Sequence, residues 1–202
     1  MRRHFSSWIL CALVGAALSA CGTSPASRYY LLEASAGPEL PAGTPVVQVA
    51  RFTVEPPYDQ DRIIYRVGAG DVQVRFYPYD RWAVPLDEMM ANLVATSFDG
   101  VGGVHFSRGG RAVDGGLRLD GHLLRLEEVD MPSGPRIRYR LDLTLATAAG
   151  EVLHQVRLEN EGEAPADQVE GVVRWMQTVL VADLAQSRPA LADALAAALP
   201  SR

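Results

Sequence analysis

From Arg136 to Leu145 the chain alternates without a break, placing Ile137, Tyr139, Leu141, Leu143 and Leu145 on one side and Arg136, Arg138, Arg140, Asp142 and Thr144 on the other. A period of two belongs to an extended strand, because a helix would scatter the same residues around its axis. One face of that strand must be covered, so the chain needs a sheet and a layer to pack on it. The flanking segments supply both. Leu117 to Val129 alternates until Leu123-Leu124, where the apolar phase slips by one, as at a β-bulge. Val152 to Glu159 follows the turn Ala148-Ala149-Gly150 and completes a hairpin. Earlier, Val46 to Val54 reads as a well-buried strand, and Arg62 to Val67 with Asp71 to Tyr77 reads as a hairpin about Gly68-Ala69-Gly70.

Two segments change period. Leu86, Met89, Met90, Leu93, Val94 and Phe98 recur at helical spacing, with Pro85 suited to the first turn, Asp87 and Glu88 at the positive end of the dipole, and Gly100 able to close the helix. A second stripe runs through Val169, Val172, Val173, Met176, Val179, Leu180 and Leu184, with Asp167 and Glu170 as a capping pair. Pro189 is expected to interrupt or kink that helix, leaving a short alanine-rich helix with Leu191, Leu195 and Leu199. Between the helices, the glycine-rich stretch 100–116 is expected to hold a short strand near Val104 to Ser107 and turns elsewhere. The fold class is therefore α+β: a mostly antiparallel sheet with two main helices packed on it.

The first residues stand apart from this pattern. Arg2 and Arg3 precede the eleven-residue apolar run Trp8 to Leu18, and Leu18-Ser19-Ala20 sets small residues before Cys21. The run is short of the roughly 20 residues a membrane-spanning helix needs, so it reads as a secretory signal peptide. Leu18-Ser19-Ala20-Cys21 resembles a bacterial lipobox, which makes Cys21 the lipidated residue of the mature chain. Two or more acyl chains anchor a protein firmly where one binds reversibly. Gly22 stands where an aspartate would resemble an inner-membrane retention signal, so the expected location is the periplasmic face of the outer membrane. These features divide the chain into a signal peptide over 1–20, a lipidated tether with one short strand at Tyr29 to Leu32 over 21–44, and a single domain over 45–202.

Charge and chemistry narrow the function. Removing Arg2 and Arg3 from the 19 basic groups leaves 17 against 24 acidic ones, a net charge of −7 that disfavours broad nucleic-acid binding. With Cys11 lost and Cys21 acylated, no disulfide or cysteine-ligated metal site is available. No serine lies in a nucleophile elbow, and His105, His122 and His154 form no metal-binding pair. His154 reads as an interior or edge histidine of its strand. The acidic pairs Glu127-Glu128 and Asp59-Asp61 read as solvated, the first because neighbours in a strand point to opposite faces. The expectation is a non-catalytic chain with no cofactor. The Arg136, Arg138 and Arg140 stripe suits lipid headgroups or an acidic partner, but it reads more simply as a solvated face. In Phe76 to Trp82 the aromatics crowd into what reads as a connection. Tyr77, Tyr79 and Trp82 are candidate partner-binding residues, with plugging of the core beside the first helix as the other reading of Trp82.

Three motifs follow the lipobox in order: Tyr29-Tyr30-Leu31-Leu32, then Pro57-Tyr58-Asp59-Gln60-Asp61-Arg62-Ile63-Ile64-Tyr65-Arg66, then Tyr79-Asp80-Arg81-Trp82-Ala83-Val84-Pro85-Leu86. With the final helix they cover nearly the whole mature chain, and together they resemble the ABC-type transport auxiliary lipoproteins, the PqiC-like family. The resemblance implies an outer-membrane accessory of an MCE/ABC-type transporter that moves lipids or related hydrophobic compounds across the envelope. It further implies an MCE-domain periplasmic protein as partner and, because such partners form rings, a homo-oligomer. An envelope-assembly lipoprotein that binds an outer-membrane barrel, and a lipoprotein hydrolase, are the readings it competes with.

Overall fold

The computed structural model describes residues 25–199, apart from 38, 109–115 and 166–167. Cys21, the signal peptide and the Asp167 cap therefore lie outside the described residues. Nine strands form one mixed sheet: β1 (Arg28–Tyr30), β2 (Val46–Val49), β3 (Thr53–Val54), β4 (Arg62–Val67), β5 (Arg75–Trp82), β6 (His105–Arg108), β7 (Leu117–Met131), β8 (Gly134–Thr147) and β9 (Val152–Glu163). Two helices, α1 (Leu86–Phe98) and α2 (Val169–Ala198), complete the α+β fold, and they pack on each other and on the sheet.

The alternating segment is β8, and it sits where the pattern demands, between β7 and β9 in antiparallel register. Ile137, Tyr139, Leu141, Leu143 and Leu145 are all buried beneath the helices. The expected bulge falls between Leu123 and Arg125, where the β7–β8 register shifts. The other edge of β7 is shared in succession by β2, β3 and β4, each parallel to it, so the sheet is mixed: antiparallel in its long strands and parallel where the short ones join.

Val46 to Val54 forms two strands rather than one, for a local reason. Val49 pairs with Leu119 and Thr53 with His122, so the chain spends one residue more than β7 over this stretch. The excess turns Phe52 inward, where its ring lies over Gly121; a Cβ on that glycine would stand 2.3 Å from the ring. Glycine is the residue that lets another group approach a strand this closely.

Helix α1 ends as expected, with Gly100 at φ +83° just past the last turn. Helix α2 departs from expectation, running as one helix through Pro189. Its buried stripe continues across the proline as Leu184, Ser187, Leu191 and Leu195, so packing on both sides outweighs the lost hydrogen bond. At the N-terminal side β1 pairs parallel with β5 as an edge strand, and Leu32 just beyond it is 2% exposed, so this strand is part of the sheet and core.

Candidate functional site

The aromatic segment expected to be a connection is strand β5 itself. Between Arg62 and Ile64 of β4 lie two steps, while their partners Arg81 and Phe76 are five apart. The excess residues surround Pro78, which lacks a backbone donor and is suited to an unpaired position. This irregularity distributes the three candidate residues. Trp82 is 4% exposed, and its backbone N–H donates to the Asp61 carbonyl at 2.6 Å. Its ring is core, which corrects the expectation that it could face a partner. Tyr77 is half-buried, stacked on Tyr65 at 4.5 Å and donating its hydroxyl to Glu128 at 3.0 Å. Only Tyr79 of the three presents its ring outward, at 36% exposure.

The acidic pair on β7 also departs from expectation. Glu127 and Glu128 do point to opposite faces, but both faces are covered and both residues are buried. On the face away from the helices, Tyr58 covers Glu127 and donates to it at 2.8 Å, and Arg66 donates to the same oxygen at 2.9 Å. Arg138 and Arg125 stand at 3.7 and 3.8 Å from the other oxygen. Burial, then the adjacent carboxylate, raises the Tyr58 hydroxyl to about 12. On the helix face Glu128 has Tyr77 as its donor, and burial raises its pKa above the ordinary value. The same burial pushes the Tyr77 hydroxyl up.

A third buried carboxylate, Asp80, belongs to the same half of the sheet. It accepts from the Tyr30 hydroxyl at 2.8 Å and from Arg28 through both oxygens, at 2.8 and 2.9 Å. This clamp closes the β1–β5 pair across an ion pair that sequence reasoning did not foresee. Beside it, Leu31, Leu32, Val84, Met89 and Leu93 line a groove of about 400 Å³ between the N-terminal segment and α1.

Two of the three arginines of the basic stripe meet acids. Arg138 makes two hydrogen bonds to Glu161 on β9, and Arg140 and Arg157 both approach Asp142. The histidines are dispersed: His105 contacts Asp99 at 2.7 Å, His122 contacts Glu55 at 2.8 Å, and the Nε2 of His154 has no hydrogen-bond partner. Asp61 pairs with Arg81. Among the described residues no cluster of three or more ligating side chains is positioned for a metal, and no helix is long and apolar enough to cross a membrane. The buried carboxylates are held by tyrosine and arginine donors, an arrangement that fixes strand positions.

Comparison with known proteins places this architecture. A crystal structure of an uncharacterised protein superposes with a TM-score of 0.61 at 17% identity, covering 84% of this chain and 98% of the other. A crystal structure of a Xanthomonas campestris protein gives 0.65 at 16% identity, covering 83% and 96%. At these identities the likeness is one of fold. No curated protein matches the chain. The profile of the ABC-type transport auxiliary lipoprotein component matches residues 29–187, from β1 to well inside α2. The chain thus belongs to the ABC-type transport auxiliary lipoprotein family, and its role is that of an accessory to such a transport system.

Proposed function

We propose that this protein is held by lipid on Cys21 at the periplasmic face of the outer membrane and serves there as the non-catalytic partner of an MCE-domain protein. In this reading the MCE protein and its ABC transporter move lipids or related hydrophobic compounds, and the lipoprotein completes the route at the outer membrane as a homo-oligomer matched to a ring-shaped partner. The observation that carries the reading is the family match over residues 29–187, joined to the lipobox pattern at Leu18 to Cys21. Buried carboxylates that accept from tyrosine and arginine support the non-catalytic part, because their lone pairs are committed to holding strands. Of the aromatic segment, Trp82 and Tyr77 serve stability and Tyr79 alone is free to meet another surface.

Two measurements test this. Cys21→Ala is expected to remove the protein from the membrane fraction, and its firm retention there would overturn the anchor. The wild-type mature protein is expected to co-purify with an MCE-domain protein encoded beside it. Absence of binding at micromolar concentrations would give preference to the envelope-assembly reading.

A further inference from the structure

The sheet ends at three strands, β1, β6 and β9, and they differ in how much unpaired backbone they leave. β1 has 3 residues and β6 has 4, and on β6 the Phe106 amide is already taken by the Asp99 carboxylate at 3.0 Å. β9 has 12 residues, roughly 40 Å at ~3.3 Å per residue, and among the described residues it pairs with β8 alone. Its peptide groups alternate in direction. The Ala164 amide donates to the Pro135 carbonyl at 2.8 Å. Stepping back by twos from that pair puts Gly162, Asn160, Leu158, Val156 and His154 in hydrogen-bonded pairs with β8. The amides and carbonyls of Gln155, Arg157, Glu159, Glu161 and Glu163 therefore point the other way, off the edge of the sheet.

An edge of this length is ordinarily blunted by a proline, a bulge or a cover. β9 contains no proline, and its one register shift against β8 lies at its start, between Leu145 and Ala146. What it carries instead is charge of mainly one sign. Glu159, Glu161 and Glu163 share the face away from the helices, and all three are exposed. Arg138 holds Glu161 through two hydrogen bonds. Glu159 and Glu163 lie opposite Arg140 and Arg136, yet neither closes an ion pair across the strands, and Arg140 approaches Asp142 instead. On the helix face the same edge carries Val156 and Leu158. A strand arriving here meets apolar side chains on one face and unpaired carboxylates on the other.

We propose that β9 receives an extended segment of a partner protein, added to the sheet as a further strand. Its basic side chains lie opposite Glu159 and Glu163, and apolar ones between them lie beside Val156 and Leu158. Main-chain hydrogen bonds supply the affinity, and the charges set partner and register. A second copy of the chain fits the edge poorly. Its only arginine or lysine on β9 is Arg157, already bonded to its own Asp142 at 2.9 and 3.4 Å, so it brings three glutamates and no free cation. This contact rests on the accessory reading only in requiring a protein partner, and it specifies the chemistry of the segment that partner presents.

Amide hydrogen exchange reads the two sets of residues on β9 separately. The mature protein is mixed with a nine-residue peptide of alternating lysine and valine at millimolar concentration. Exchange at Arg157, Glu159 and Glu161 is expected to slow by about tenfold once nine-tenths of the protein is occupied, with no change at Val156, Leu158 and Asn160. Glu159→Pro should abolish this protection, because its lost N–H points outward and no bond to β8 goes with it. Glu159→Gln combined with Glu163→Gln keeps the test open should proline disturb the strand, and it is expected to weaken peptide binding by about tenfold, as loss of two exposed ion pairs does. Unchanged exchange in the parent would overturn the proposal, and so would equal protection in Glu159→Pro. Equal binding of a peptide with the same residues in separate lysine and valine blocks would reduce the contact to charge alone and overturn it too. Protection at Arg157 and Glu159 in protein without peptide, with sedimentation as a dimer, would give the edge to a second copy. Co-purification of the parent with the MCE-domain protein is scored apart: its failure beside intact edge protection would remove that partner and leave this inference standing.

Discussion

Substituting Gly121 by alanine sets the close approach of Phe52 against the architecture around it. The added Cβ would stand 2.3 to 2.4 Å from three atoms of the ring, where carbon atoms in contact prefer about 3.5 to 4.0 Å. Ring or strand must therefore move by more than an ångström. Neither is free to do so: the Ala50 amide donates to Leu119 at 2.9 Å on one side of Phe52, and the Glu55 amide donates to Leu123 at 2.9 Å on the other. Overpacking of this kind costs about 1–3 kcal/mol. For a chain of this size that corresponds to a fall in Tm of roughly 2–12 °C. The partner substitution makes the reasoning specific. Phe52→Ala costs about 3–5 kcal/mol by itself, but in its background Gly121→Ala is expected to cost nothing or to gain about 0.5–1 kcal/mol, since alanine restrains an unfolded chain more than glycine. Urea unfolding of the parent, both single variants and the double variant measures the coupling. If Gly121→Ala melts with the parent, or if the two costs simply add, the close packing of Phe52 on β7 is not what holds β2 and β3 in place.

Three further outcomes follow from the same packing. Glu127→Ala removes the acceptor shared by Tyr58 and Arg66 and is expected to cost about 3–5 kcal/mol, the range for breaking a buried pair; an unchanged urea midpoint would refute it. Burial raises the Glu128 pKa above its ordinary 4.5, so ionisation of this carboxyl destabilises the fold as pH rises from that value through the raised one, and acid relieves the penalty. Glu128→Gln should accordingly be more stable than the parent at pH 7, with the advantage vanishing below pH 4.5; a constant difference across that range would contradict it. Leu141→Asp places a carboxylate at a fully buried position and is expected to cost several kcal/mol against a total of roughly 5–15, abolishing the cooperative melt seen by circular dichroism.

The strand β8 and the helix α1 were legible because each carries its period in consecutive residues, and the bulge in β7 was legible because the apolar phase visibly slips at Leu123-Leu124. Features that depend on distant partners were not. Glu127 and Glu128 look solvated as a pair of acids in a strand, and their burial follows only when β4 and the Tyr58 segment are laid beside them. Part of the signal was present: the two-residue turn Pro132-Ser133 pairs Met131 with Gly134, and counting back along the hairpin from that turn sets Glu127 opposite Arg138. The parallel docking of β2, β3 and β4 along one edge of β7 has no local signature, since parallel pairs join residues far apart in the chain. Pro189 misleads for a different reason. Its intrinsic cost is real, but a helix with buried leucines on both sides of the proline is held by packing rather than by one hydrogen bond.

The same distinction accounts for where the buried charges sit. β1 pairs over only three residues, none of them fully buried, so the strand's own burial gives its register little support. Alternation specifies register weakly in so short a strand. Asp80 removes the ambiguity: at 2% exposure it must be neutralised, and Arg28 and Tyr30 reach it together only when Arg28 lies opposite Asp80. A slip of two residues would leave a buried carboxylate unpaired, at a cost of several kcal/mol that no gain in apolar contact at this edge can offset. The ion pair thus supplies specificity to a strand too short to set its own register. Behind it, Glu128 and Tyr77 continue the polar contacts on the helix face, and Glu127 with Arg66 and Tyr58 does so on the other, so β1, β5, β4 and β7 are tied in sequence. This half of the sheet is thus joined to the long β7–β8 hairpin by charged and hydroxyl groups, while the opposite half is packed on Val47, Val49, Phe106, Leu117 and Leu119.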